Sequence, residues 1–336
     1  MALVADRALV AAACSAREIA SARFLANRRV TLIDVGWKIS AGRPTGELAV
    51  RVHVGRKPTG RAFDELARKS PHAVIDVDRI PFPTDIIEAT YPTWRDGPQG
   101  TWEVRARRFD PIVGGISISN EWSGGFGTLG AVVRDRASGE PMLLSAWHVL
   151  AETPEAPRGL RILQPAYADG GRARYVVGRL ERHAMDRGLD AALARLSGDR
   201  RWSDRQLGIG ALAGAAMPAL GMRVRKSGRA SGLTAGVVDG IDADYPVRYL
   251  GGYRRVGPVC RIVPAAPGEE VSRGGDSGAT WVAEGTALAA GLHFAGQDAP
   301  ETALAMAFPR VLEALAAEIP APHPAPAGLE AVVGVG

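Results

Sequence analysis

The pattern that most constrains the fold is a series of short apolar runs, each ended by a glycine-containing turn, from Pro111 onward. The runs cover residues 112–118, 128–133, 142–144, 175–180, 235–241, 279–282, 287–294 and 304–308. The 41 glycines and 23 prolines among 336 residues favour short strands joined by turns over a helical bundle. This part of the chain therefore predicts a β-barrel or a β-sandwich.

The first 95 residues have a different pattern, which predicts a small α/β module. Residues 1–28 carry apolar side chains at helical spacing, and residues 30–54 alternate as expected for a hairpin. A short helix over 62–69 and a proline-interrupted strand over 73–87 complete the module.

The rest of the chain divides into three further segments. Residues 96–110 predict a linker, residues 111–319 a β-rich domain closed by a helix over 309–319, and residues 320–336 a mobile, proline-rich tail. Because the linker is polar and contains glycine and proline, we expect residues 96–336 to fold without the module.

Composition argues against several classes of protein. The net charge of +5 is dispersed, which argues against nucleic-acid binding, and the densest basic stretch, 223–229, predicts a solvated hairpin. No segment is long and apolar enough to span a membrane, and the apolar run at 8–13 is too short for a secretory leader. We therefore expect a cytoplasmic protein that binds neither nucleic acid nor membranes.

Cysteine and histidine usage argues against disulfide-rich and metal-dependent proteins. Cys14 and Cys260 are too few for a disulfide framework, so we expect both thiols to be reduced. The six histidines show no i, i+4 pairing, so we expect neither a metal ion nor another cofactor.

The sequence Gly274-Gly275-Asp276-Ser277-Gly278 predicts a tight turn around a serine. A nucleophilic serine needs a hydroxyl that projects from a turn and backbone N–H groups that point at the developing negative charge. The flanking glycines permit such a turn, and the N–H groups of Gly275 and Ser277 then form an oxyanion hole. Because similar tetrapeptides occur in ordinary turns, this motif alone does not establish catalysis.

A base and a carboxylate complete the chemical pattern. His148 follows the apolar run 143–147, although a core histidine bonded to a backbone carbonyl is the alternative. Asp190 lies in the apolar segment 188–194, where a carboxylate is costly unless an imidazole or another donor pairs with it. Its alternative role is a helix cap, and His183 and Asp186 are rival candidates in a nearby polar stretch.

The order of these residues favours catalysis. His148, Asp190 and Ser277 follow one another with spacings of 42 and 87 residues. Double-barrel serine proteases use this order, whereas subtilisin-like and α/β-hydrolase enzymes use others. The order therefore predicts a His–Asp–Ser triad on a mainly β, chymotrypsin-like double β-barrel.

Further motifs resemble the trypsin/chymotrypsin-like superfamily. Segments 127–130 and 144–150 resemble its first barrel, and segment 226–236 resembles a strand pair before the active serine. Segments 35–39, 44–49 and 83–88 resemble the N-terminal region of the plant NARROW LEAF-type serine proteases and their bacterial relatives. The resemblance implies a non-secreted serine endopeptidase that acts on proteins or peptides, with a trypsin-like peptidase domain at 111–319. We expect a regulatory protein partner to restrain it.

Two departures from that superfamily bear on the site. Trp147 precedes the histidine and narrows one side of the predicted cleft. Residues 112–115 resemble the N-terminus that activating cleavage creates in secreted trypsin-like enzymes. In those enzymes the new amino group pairs with the aspartate next to the active serine, which is Asp276 in this chain. Because Pro111 is a poor cleavage site, we expect an ordinary strand there and another partner for Asp276.

The resemblance also identifies candidate substrate-binding residues. Enzymes of this superfamily that cut after lysine or arginine carry an aspartate where this chain has Val271, so we expect no basic preference. In glutamyl endopeptidases a histidine and a hydroxyl residue bind the substrate carboxylate, and His293 and Ser272 occupy those places, with Ala295 on the same strand. The alternative is an apolar pocket in which His293 bonds to a backbone carbonyl.

A catalytically silent relative that binds peptides as a regulatory scaffold is the second hypothesis for function. The intact triad and glycine turn argue against it. A serine-reactive probe distinguishes the two.

Overall fold

The computed structural model describes residues 6–56, 74–78, 80–91, 104–198, 200–249, 252–298 and 301–321. The predicted helix at 62–69, most of the predicted linker and the tail beyond residue 321 lie outside these residues. Within them, strands dominate, so the prediction of a mainly β fold is confirmed. No helix in the described ranges combines the length and apolar composition needed to cross a membrane.

The N-terminal unit is a helix packed on a small sheet. Asp6 caps α1 by accepting hydrogen bonds from the N–H groups of Ala8 and Leu9. The predicted hairpin at 30–54 is confirmed, and its second strand pairs in parallel with β5. The elements are α1 (Arg7–Phe24), β1 (Val30–Ser40), β2 (Arg43–Val54), β3 (Ile75–Val77), β4 (Ile80–Phe82) and β5 (Thr84–Glu88).

The first barrel is a closed ring in which β8 and β9 act as one strand, interrupted only at residues 129–130. The pairing order is β8-β7-β11-β12-β13-β10-β9, so the ring closes where β8 leads into β9. Its strands are β7 (Ser117–Asn120), β8 (Gly127–Thr128), β9 (Ala131–Asp135), β10 (Pro141–Ser145), β11 (Arg161–Leu163), β12 (Val176–His183) and β13 (Ala192–Leu196).

The second barrel is a closed ring of six strands in the order β17-β20-β21-β22-β19-β18, with β18 pairing back to β17. Apolar side chains from both barrels, including Leu143 and Leu292, form one continuous core. Its strands are β17 (Arg223–Gly228), β18 (Gly232–Tyr249), β19 (Gly252–Pro264), β20 (Thr280–Ala283), β21 (Leu288–Asp298) and β22 (Glu301–Ala307).

Short elements connect and close the barrels. They are β6 (Ile112–Gly114), α2 (Trp147–Leu150), β14 (Trp202–Gln206), β15 (Gly210–Ala211), β16 (Gly214–Ala215), α3 (Phe308–Ala314) and β23 (Ala317–Glu318). The expectation of an ordinary strand at 112–115 is confirmed by β6, which pairs with β14. The predicted helix over 309–319 is wrong at its end, because Ala317 and Glu318 pair with β9 instead.

Strand β18 connects the N-terminal unit to the second barrel. Its residues 232–237 close the barrel against β17, and its residues 240–244 pair with β1 on the same edge. Buried ion pairs accompany this junction: Arg51 binds Asp34 and Asp239, and Arg17 binds Asp244. The module and the second barrel thus share one sheet, and independent folding of residues 96–336 stays a prediction.

Candidate active site

His148 and Asp190 are brought together by the pairing of β10 with β13. Ser145, the last residue of β10, lies opposite Ala192, the first residue of β13. His148 then follows on α2, and Asp190 lies two residues before β13. His148 Nδ1 lies 2.7 Å from Asp190 Oδ2, and the His148 backbone N–H donates to Asp190 Oδ1 at 3.1 Å.

The alternatives for these two residues are not what the structure contains. Residues 192–196 form a strand, so Asp190 does not cap a helix. The rivals His183 and Asp186 lie 3.9 Å apart, and the Asp186 side chain is 73% exposed. The carboxylate paired with His148 is therefore Asp190, which is fully buried.

A third donor reaches Asp190 from a distant part of the chain. The hydroxyl group of Tyr249, at the end of β18, donates to Asp190 Oδ2 at 2.6 Å. No sequence motif marks Tyr249, because its contact with Asp190 is made across 59 residues.

The turn around Ser277 has the predicted glycine geometry. Gly275 has φ +103° and Gly278 has φ +96°, values that favour glycine. A Cβ atom at Gly275 would collide with the Phe126 ring, and one at Gly278 with Ser145 Oγ. Within the described chain, the N–H groups of Gly275 and Ser277 donate no hydrogen bond, so both remain available to an oxyanion.

Asp276 has a partner inside the fold, as expected. Lys226 Nζ lies 2.7 Å from Asp276 Oδ2, and both side chains are fully buried. The backbone N–H groups of Ala230 and Ser231 donate to Oδ1, and the Ser231 hydroxyl and the Arg273 N–H donate to Oδ2. Burial raises the pKa of Asp276, but the Lys226 charge and these hydrogen bonds outweigh it and lower that pKa to about 2.

The prediction of a solvated basic hairpin at 223–229 is therefore wrong for part of its length. Lys226 and Arg229 are buried, and Arg229 forms an ion pair with Asp169. Only the start of the stretch is exposed, where Arg223 pairs with Glu284. The buried lysine fixes the loop that carries Ser277.

The serine loop and the histidine helix meet at β8. The Thr128 N–H donates to the Ser277 carbonyl at 2.8 Å. A Cβ atom at Gly127 would lie 2.5 Å from the Val149 side chain and 3.2 Å from the Ser277 carbonyl oxygen. Ser277 Oγ lies 3.5 Å from the Phe294 carbonyl, and His148 Nε2 is buried with no partner among the described residues. The hydroxyl and the imidazole are not hydrogen-bonded to each other in this state.

The predicted substrate-binding residues lie on β21 and in the loop before Ser277. Ser272, His293 and Ala295 are all buried. His293 Nδ1, His293 Nε2 and Ser272 Oγ have no hydrogen-bond partner within the described part of the chain. The Leu304 backbone nevertheless acts on the His293 ring as a hydrogen-bond acceptor that raises its pKa, so the alternative in which His293 bonds to a backbone carbonyl stays open.

The two predicted cysteine thiols are free. Cys260 is buried and Cys14 is half-buried, and burial raises the pKa of each thiol to about 12. Neither thiol is therefore an activated nucleophile.

No protein-family model matches this chain, and no curated protein matches it. Among solved structures, the chain is similar to the Nocardiopsis protease NAPase, with 20% identity and a TM-score of 0.46 over 62% of this chain and 98% of that one. It is also similar to a glutamic-acid-specific serine protease, described as using a histidine triad in substrate binding, with 21% identity and a TM-score of 0.46 over 62% of this chain and 100% of that one. Cellulomonas bogoriensis chymotrypsin is similar with 20% identity and a TM-score of 0.45 over 63% of this chain and 99% of that one.

These structural neighbours are chymotrypsin-like serine proteases. At such identities and TM-scores, the similarities assign no residue and no chemistry to the site. The resemblance to NARROW LEAF-type proteases stays a prediction.

Proposed function

We propose that the protein is a serine endopeptidase in which His148, Asp190 and Ser277 form the catalytic triad. The observation that carries the proposal is the buried hydrogen bond of 2.7 Å between His148 Nδ1 and Asp190 Oδ2. It fixes the imidazole tautomer so that Nε2 is the free nitrogen. That nitrogen has no partner within the described chain, as a base awaiting a proton requires.

The reaction follows from these positions. Ser277 Oγ attacks the carbonyl carbon of the scissile bond while His148 Nε2 takes the hydroxyl proton, and Asp190 stabilises the resulting imidazolium. The N–H groups of Gly275 and Ser277 stabilise the oxyanion. His148 then gives its proton to the departing amine, which leaves an acyl-enzyme on Ser277. Water, deprotonated by His148, attacks this ester, and His148 then returns the proton to Ser277 Oγ, which releases the carboxylate product and the free serine.

The missing hydrogen bond between Ser277 and His148 fits this scheme. Catalytic hydrogen bonds are often long or misaligned without substrate and tighten when substrate binds. For this bond to form, the Ser277 hydroxyl must leave the Phe294 carbonyl, from which its oxygen lies 3.5 Å.

A serine-reactive fluorophosphonate probe tests the proposal. We expect the probe to label the native protein and to fail on Ser277→Ala, because only a serine activated by a base attacks phosphorus rapidly. Ser138→Ala, in the surface turn between β9 and β10, is the matched control and should be labelled like the native protein. Equal labelling of native protein and Ser277→Ala would refute the assignment of the nucleophile. Absence of labelling in all three folded proteins would favour the silent peptide-binding relative.

A cytoplasmic location and restraint by a regulatory protein partner belong to this proposal. The two free thiols support the location alone, since free cysteines are typical of reducing compartments.

A further inference from the structure

We propose that Tyr249 is a positioning residue that orients His148 through Asp190. This inference rests on the proposed function, in which His148 is the base and Asp190 its carboxylate. Tyr249 is the last residue of β18 and lies 59 residues after Asp190 in the sequence. Its hydroxyl donates at 2.6 Å to Asp190 Oδ2, the same oxygen that lies 2.7 Å from His148 Nδ1.

The hydrogen bonds of Asp190 explain why this donor matters. Asp190 is fully buried, so its charge depends on donors from the protein instead of water. Within the described chain, these donors are the His148 backbone N–H, the His148 ring and the Tyr249 hydroxyl. Tyr249 is the only one that does not belong to the histidine, so it holds the carboxylate in place independently of the base.

Tyr249 is well suited to act as a permanent donor. Burial, reinforced by the nearby Asp190 charge, raises the pKa of the Tyr249 hydroxyl well above 10, so the group stays protonated. The Trp147 ring packs edge-on against the Tyr249 ring, with centroids 5.3 Å apart at 87°. The ring is thus fixed beside the helix that carries His148.

The strand that delivers Tyr249 is attached to the N-terminal unit. β1 pairs with residues 240–244 of β18, five residues before Tyr249. Asp244 accepts hydrogen bonds from Arg17 and Ser21 of α1. The position of the Tyr249 hydroxyl is therefore set partly by a module that contains no triad residue.

Tyr249→Phe tests the proposal because it removes the hydroxyl and keeps the ring. We expect kcat on a peptide substrate to fall about tenfold, which corresponds to about 1.4 kcal/mol, with KM unchanged. Tyr245→Phe is the matched control: it lies on the same strand, packs against Phe294 and makes no bond to Asp190. It should keep kcat within about twofold of the native value. Asp190→Asn should lower kcat about 10⁴-fold, and this value sets the lower limit of kcat expected when the carboxylate is lost.

A second measurement does not depend on turnover. The low-field proton signal of the His148 Nδ1–H group reports directly on its bond to Asp190, and we expect Tyr249→Phe to shift it while Tyr245→Phe leaves it in place. A native protein that neither cleaves peptides nor reacts with the fluorophosphonate would contradict the proposed function, and the proton signal would still decide the role of Tyr249. Native kcat and an unshifted signal in a folded Tyr249→Phe variant would overturn the inference.

Discussion

His293 is a fully buried imidazole whose ring nitrogens make no hydrogen bond of normal geometry within the described chain, although the Leu304 backbone acts on the ring as an acceptor. Burial, together with the Lys226 charge, lowers the pKa of His293 to about 3, so the ring is neutral at physiological pH and has one N–H to donate. The Ser272 hydroxyl is also buried and unpaired within the described chain. Because buried polar groups without partners are costly, we propose that a substrate carboxylate accepts hydrogen bonds from these side chains.

We therefore expect cleavage after glutamate or aspartate, measured with a peptide library varied at the residue before the scissile bond. His293→Leu should reduce that preference about tenfold or more, since a hydrogen bond to a charged group contributes about 1.5–3 kcal/mol. Ser272→Ala should give a smaller loss. A preference for leucine, alanine or arginine that His293→Leu leaves unchanged would show that the pocket is apolar in function.

At the residue scale, side chains that lie in recognisable motifs are predictable from the sequence. Buried side chains that hold those motifs in place are not. His148 and Asp190 were identified by their order and apolar surroundings, and the structure pairs them as predicted. Lys226 was assigned to a solvated hairpin, because a single sequence does not distinguish a buried lysine from an exposed one on a strand. Its partner Asp276 lies 50 residues away, and only the fold brings the two together.

At the element scale, the turn that carries Ser277 depends on the ion pair between Lys226 of β17 and Asp276. Lys226→Met should lower the free energy of unfolding by about 3–5 kcal/mol at pH 7, because it leaves a buried, uncompensated carboxylate. Chemical denaturation measures this. Arg223→Met is the control on the same strand, and its exposed pair with Glu284 should contribute about 1 kcal/mol or less.

The same pair predicts a pH dependence. The pKa of Asp276 is about 2 in the folded protein against an ordinary value of 3.8, so its contribution to stability is complete above about pH 4 and is lost as the pH falls toward 2. In Lys226→Met, burial without the lysine charge raises the pKa of Asp276 above 3.8, so the deficit relative to the native protein should begin to shrink above pH 4 and go on shrinking as the pH falls toward 2. A deficit that is constant from pH 7 to pH 3 would contradict this explanation.

The ends of strands are predictable where the local alternation of apolar and polar residues defines them. They are not predictable where a contact with a distant segment extends the strand. The hairpin over 30–54 follows from alternation alone. Strand β18 was predicted only over 235–241, since Asp242 and Asp244 interrupt its apolar pattern beyond that point. Those carboxylates are accommodated because Arg17 of α1 binds both, a contact that the periodicity of β18 does not reveal.

At the scale of the whole molecule, the shared sheet bears on the expectation that residues 96–336 fold alone, which stays a prediction. Removal of residues 1–95 would expose the edge of β18 and take Arg51 away from Asp239. An open strand edge promotes aggregation, so we expect the 96–336 fragment to be less soluble and to unfold at a lower temperature than the full chain. The full-length Arg17→Met variant loses only the ion pairs of Arg17 with Asp242 and Asp244, so its unfolding temperature should lie between those of the fragment and the native chain. A soluble fragment with the thermal stability of the full chain would support separable domains.

The double barrel itself was predicted from the order of the triad and the spacing of the strands, whereas its attachment to the module was not. The predicted linker suggested two separable domains. The junction instead uses backbone pairing between β1 and β18, and backbone hydrogen bonds leave no signature in side-chain composition.

The length of β18 has a consequence for how this chain tolerates insertions and deletions. Side chains alternate between the two faces of a strand, so deletion of a single residue between 245 and 248 would turn Tyr249 to the opposite face. Deletion of two residues would restore the face but retract the hydroxyl by about 6.6 Å, beyond reach of Asp190. Closure of the barrel at 232–237 and pairing with β1 at 240–244 would survive either change. Length variants of this segment should therefore lose the hydrogen bond from Tyr249 to Asp190, together with the native register of residues 245–249 on β19.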